Sequence, residues 1–169
     1  MTKSISIFII LLMFFFQTFG QDILANGEKI VIRETITTID KSKLFSGWEK
    51  FAKDTTNPTF IMEDLNGDGK LENAGFFTGI DHGFFIFGNL DTTDVTVEQL
   101  YRFPFDSSWF QDEKLQVVMD IVKSEKKIKN LETGLLEKLR YNSVRIFKSD
   151  GSTFIVTYKD NDWKVIKIK

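Results

Sequence analysis

Residues 64–72 read Asp-Leu-Asn-Gly-Asp-Gly-Lys-Leu-Glu and lie between two apolar runs. Three short oxygen-bearing side chains and two glycines within six residues do not prolong a helix or a strand. Asx side chains bond their own backbone two residues on, and glycine accepts the positive φ of tight turns. The chain must therefore reverse here. The flanks, residues 59–62 and 74–78, are rich in Phe, Ile and Thr and read as strands. Whatever this chain folds into, two strands meet across an oxygen-lined loop.

The loop supports two readings. As a calcium loop, ligands fall at positions 1, 3, 5, 7, 9 and 12, with glycine at position 6. Asp64, Asn66 and Asp68 occupy the first three ligand positions, and Gly69 occupies the sixth place. Lys70 would contribute its backbone carbonyl, and Glu72 would bind directly or through water. Position 12 is Gly75 rather than the bidentate Glu that the helix–loop–helix motif requires. The site would then be weaker, with Asp81 or nearby carbonyls as substitutes. As a polar turn, the tandem Asn-Gly and Asp-Gly dipeptides account for the same residues without a metal.

The run from Asp64 to Phe77, with the hairpin-like stretch 79–90 after it, resembles the aspartate-rich loop of FG-GAP/VCBS-type repeats and their single-copy relatives, small exported bacterial proteins. Residues 152–164 are similar to the closing hairpin of such proteins. The resemblance covers about a third of the chain. It implies calcium ligation by Asp64, Asn66 and Asp68. A single copy of the motif excludes a multi-bladed propeller.

Residues 1–20 read as a signal peptide. Lys3 gives the positive start, residues 5–16 are apolar except for Ser6, and small residues Thr18 and Gly20 precede the expected cleavage point. The apolar run is too short for a membrane span, which takes about 20 residues. The protein is therefore expected to be secreted or periplasmic, with no membrane span after cleavage and with residues 21–169 as one domain. That region carries 21 basic and 24 acidic residues, which argues against a nucleic-acid partner. There is no cysteine, so stability rests on the core rather than on disulfides. Thirteen of the 18 phenylalanines follow Gly20 and supply its bulk.

The expected fold class is α+β, a β-rich antiparallel sheet core with one or two short helices. Strands are expected over 29–37, 59–63, 73–78, 83–87, 94–101, 143–147, 153–158 and 163–168, with turns at 149–151 and 160–162. A short helix is expected over 41–53, interrupted by Gly47. Residues 107–127 fit either period. The helical face uses Leu115, Val118, Met119 and Val122, and acidic Asp112 and Glu113 near the start with lysines near the end favour helix. Residues 130–141, containing Gly134, read as irregular.

Enzyme chemistry has little support. One histidine, His82, excludes a multi-histidine zinc site, the absence of cysteine excludes a Cys–His pair, and no Gly-x-Ser-x-Gly elbow is present. The expectation is a non-enzymatic binding module for a protein or glycan partner, with a calcium-stabilised loop. The alternatives are an inhibitor or immunity-type protein for an exported enzyme, and a small hydrolase using the carboxylate cluster. Trp48, Trp109, Phe110, Tyr158 and Trp163 are amphipathic side chains suited to interfaces. Among them Trp109 and Phe110, set among polar neighbours, are the expected partner-binding pair.

Overall fold

A computed structural model describes residues 28–30, 37–53, 56–78, 83–88, 100–104 and 107–169. The segment expected to be a signal peptide, Asp81, His82 and most of the strands expected over 29–37 and 94–101 lie outside the described residues. Fourteen strands are described: β1 (Glu28–Ile30), β2 (Thr37–Thr38), β3 (Phe60–Glu63), β4 (Glu72–Thr78), β5 (Gly83–Phe87), β6 (Leu100–Pro104), β7 (Phe110–Gln111), β8 (Lys114–Leu115), β9 (Val117–Val122), β10 (Lys127–Lys129), β11 (Leu136–Lys138), β12 (Ser143–Lys148), β13 (Thr153–Lys159) and β14 (Asp162–Lys167). The expectation of a β-rich, antiparallel core holds.

The first sheet runs β1-β6-β5-β4, and the far edge of β4 is shared by two short strands. β3 pairs with its beginning (Glu63 opposite Glu72) and β2 with its end (Thr37 opposite Thr78). The second sheet runs β14-β13-β12-β9, all antiparallel. The hairpins β7–β8 and β10–β11 lie outside both.

Alternation builds the core. In β4 and β5, Ala74, Phe76, Phe84 and Ile86 share one face, and Phe103 of β6 lies opposite Phe84. From the second sheet, Met119, Val144, Ile146, Phe154, Val156 and Trp163 join the same hydrophobic cluster. Both sheets thus contribute to one continuous core, as the inner faces of a sandwich do. Each large side chain fully buried here stabilises by roughly 1.5–3 kcal/mol. The outer face of the second sheet buries Val122, Ile155 and Ile166 under Ile128 of β10 and Leu139, the residue after β11.

The expected helices are corrected. Residues 41–53 form two 3-10 turns, Lys41–Lys43 and Trp48–Lys50, and a third 3-10 turn spans Ser107–Trp109. Gly47, at φ 82°, separates the first two and prevents a continuous helix. No α-helix occurs among the described residues. Residues 107–127 are mainly strand. Asp112 and Glu113, which suggested a helix start, hold φ of 49° and 59° at the β7–β8 turn. Two consecutive positive φ values are the signature of a two-residue hairpin loop. Alternation then decides β9, where Met119 and Ile121 pair with Ile146 and Val144 across the ladder. Residues 130–141 also hold more order than expected, since β10 and β11 pair from Lys127–Lys138 to Lys129–Leu136.

Candidate functional site: the aspartate loop and the tyrosine cleft

The loop between β3 and β4 is closed by its own side chains. Asp64 accepts from the Gly67 amide at 2.7 Å through Oδ1 and from the Gly69 amide at 3.1 Å through Oδ2. Asn66 Oδ1 accepts from the Asp68 amide at 2.8 Å, and Asp68 Oδ1 from the Lys70 amide at 2.8 Å. Gly67 and Gly69 adopt φ of 80° and 82°, the left-handed values these turns need. Glu72, the first residue of β4, reaches back across the loop. It accepts from the Leu65 amide at 2.7 Å and from the Asn66 side-chain amide at 2.8 Å. Leu65 is fully buried in the core, so the loop is pinned from below as well as across.

Gly75 is not part of this loop. It lies in β4, opposite Phe60 and Phe85. A Cβ there would stand 2.7 Å from the Phe77 ring and 3.0 Å from the Phe60 ring. The position that the helix–loop–helix motif reserves for glutamate is thus a flat seat for aromatic rings. Glu72 takes over the closing role three residues earlier.

The loop carries oxygen donors of the kind hard divalent cations take, on Asp64, Asp68, Glu72, the Asn66 amide and the Lys70 carbonyl. Burial raises the Glu72 carboxyl above its ordinary value, and the neighbouring Asp68 and Asp64 charges raise it further, against the Leu65 amide bond that lowers it. The loop therefore concentrates negative charge that a cation would relieve. Among the described residues no three carboxylate or imidazole side chains gather tightly enough to hold a metal by themselves. Calcium would have to draw on Asn66, Lys70 and water.

Beside the loop lies a cleft of about 310 Å³, within the lower range of ligand pockets. It is lined by residues 137–141 and 157–161 and by Ile166. Tyr141 and Tyr158 stand with ring centroids 6.4 Å apart, and Tyr158 continues to Trp163 at 5.2 Å and then to Tyr101 at 6.2 Å. An aromatic row thus leads from the cleft into the core. Arg140 lies 5.1 Å over the Tyr141 ring. Lys159 donates to Glu137 at 2.8 Å, and this bond, with one from Asn130, holds the Glu137 carboxyl below its ordinary value. Asp160 and Asn161, both at positive φ, form the β13–β14 turn at the rim.

Loop and cleft touch at Gly67, and the residues flanking them are bonded as well. Gly67 packs so closely on Tyr141 that a Cβ would land on its ring. Glu63, the residue before Asp64, accepts from the side-chain amide of Asn142, the residue after Tyr141, at 2.7 Å. Lys123 also donates to Glu63, at 3.2 Å. One wall of the cleft is therefore fastened to the aspartate loop.

The structure brings Asp64, Asn66, Asp68, Lys70 and Glu72 together in one loop. It places the other expected pair elsewhere. Trp109 is fully buried, edge-on to Phe76 at 6.1 Å, and Phe110 is half-buried against the same cluster. Of the polar neighbours that suggested an exposed anchor, Ser107 and Ser108 lie in a 3-10 turn and Asp112 in the β7–β8 turn. Tyr158 was visible as an interface-type residue. Tyr141 was not, because its importance comes from contacts 74 residues away at Gly67. No family model, curated protein or solved structure matches the chain.

Proposed function

We propose that this chain is an exported, non-enzymatic binding module of one domain, residues 21–169, whose cleft at Tyr141 and Tyr158 holds a segment of a glycan or protein partner. Calcium at Asp64, Asn66, Asp68, Lys70 and Glu72 would stiffen the loop that backs the cleft, in keeping with the resemblance to FG-GAP/VCBS-type loops. The observation that carries this reading is the contact of loop with cleft at Gly67 on Tyr141, backed by the bond between the flanking residues Glu63 and Asn142. Two tyrosine rings with cations and carboxylates around them form an amphipathic surface suited to a polar partner.

A hydrolytic role for the loop carboxylates is less well supported. Both oxygens of Glu72 already accept hydrogen bonds within the loop. Its raised pKa then belongs to a buried structural carboxylate. The test is a binding screen by NMR against oligosaccharides and peptides, with Tyr158→Ala as control. Shifts confined to residues 137–141 and 157–161, and lost in the variant, are the expected result. Shifts elsewhere, or turnover of any ligand, would overturn the proposal.

A further inference from the structure

A second surface lies at the tip of the β10–β11 hairpin, whose β11 residues Glu137 and Lys138 also line the cleft. Three leucines are exposed there: Leu131 at 48%, Leu135 at 65% and Leu136 at 70%. They do not hang on a loose loop. Asn130 Oδ1 accepts from the amides of Glu132 at 2.9 Å and Thr133 at 3.3 Å, and its own backbone amide donates to the Leu135 carbonyl at 2.9 Å. Gly134, at φ 71°, completes the turn. The Leu131 amide is tied to the Lys167 carbonyl at 2.9 Å. A braced turn that displays apolar side chains to water calls for an occupant.

Charge identifies the occupant. Residues 123–140 carry six cations and three carboxylates, in a chain of net charge −2. Side chains two apart on a strand share a face. Lys127, Lys129, Leu136 and Lys138 therefore line the outward face, while Ile128 is buried beneath. Lys127 sits directly opposite Lys138, a like-charge pair that destabilises an isolated hairpin. Two of the carboxylates are engaged, Glu125 with Lys138 and Glu137 with Lys159. Glu132 remains at the tip. Among the described residues, Lys126, Lys127 and Lys129 have no carboxylate within ion-pair distance.

We infer that this hairpin tip docks on an anionic lipid surface, inserting Leu131, Leu135 and Leu136 while Lys127 and Lys129 meet the headgroups. Apolar side chains at a tip with lysines behind them follow the layout of interfacial anchors, where burial and attraction to anionic lipid add. No described helix is long and apolar enough to cross a membrane.

The test is partition of the processed, exported protein onto vesicles of phosphatidylglycerol with phosphatidylcholine, against phosphatidylcholine alone. Binding is expected on the anionic vesicles and should weaken with salt. L135S/L136S and K127A/K129A should each lower the partition coefficient by roughly tenfold or more, with unchanged melting temperature, since all four side chains are exposed. E132Q should raise it a few-fold. Equal binding to both vesicle types, no binding, or binding indifferent to both double variants would overturn the inference. So would self-association abolished by L135S/L136S without vesicle binding, or retention on polyglutamate without it. Those outcomes assign the tip to a second copy or to an acidic protein.

Discussion

Gly67 and Gly69 have nearly the same backbone and different surroundings, which makes them a controlled pair. Both hold positive φ, but a Cβ on Gly67 meets the Tyr141 ring and one on Gly69 meets nothing within 4 Å. Gly69→Ala should cost about 1–2 kcal/mol from backbone strain alone. Gly67→Ala should cost about 2–4 kcal/mol, because overpacking adds to that strain. Denaturant melts of the two variants measure the difference. Trp109→Ala should lose about 3–5 kcal/mol, as expected for an aromatic ring in the core. Glu72 supplies a pH signature. Its folded-state pKa is raised, so the ionised form is penalised in the fold. That penalty is present above the folded pKa and is relieved as pH falls through it towards the unfolded value. Glu137 runs the other way, since its pKa is lowered. Its contribution is present above the unfolded pKa and is lost as pH falls through the folded one. Carboxyl titration by NMR should find Glu72 above the ordinary glutamate range without calcium and lower with it.

At the scale of elements, β4 explains why the loop departs from the helix–loop–helix pattern. Gly75→Glu would complete that pattern on paper. In this fold the new Cβ meets Phe77 and Phe60, so the variant should be less stable than the parent by about 1–3 kcal/mol rather than bind calcium more tightly. A thermal melt with and without calcium checks both halves. The strands around the loop were legible because alternation and turn residues agreed there. β5 falls on 83–87 as expected, and the closing hairpin of β12 to β14 lies within a residue or so of its expected bounds. Residues 107–127 misled because their charges mimic helix-end chemistry while their apolar residues fit both periods. Only pairing with β12 decides between them, and pairing is not written in the segment itself. The β10–β11 hairpin was missed for a related reason: it has few β-branched residues, and its order comes from Asn130 and from packing under the second sheet.

At the scale of the whole molecule, the loop was the most readable feature of the chain and the cleft the least. The loop is contiguous, so its spacing carries its geometry. The cleft is assembled from residues 137–141 and 157–161 and rests on residues 63–67, so it exists only where the fold brings these distant segments together. Gly67 lies against Tyr141, so stiffening the loop should hold Tyr141 in place. The most direct measurement is a calcium titration of the protein by calorimetry, with a melting curve beside it and Asp68→Ala as control. Saturable binding is expected, with a higher melting temperature, Tyr141 resonances that shift along with the loop, and loss of all three in the variant. At about 100 times the dissociation constant, the added stability should be about 2.7 kcal/mol. No heat and no shift at millimolar calcium would contradict a calcium-stiffened loop and would leave residues 64–72 as a polar turn closed by Glu72.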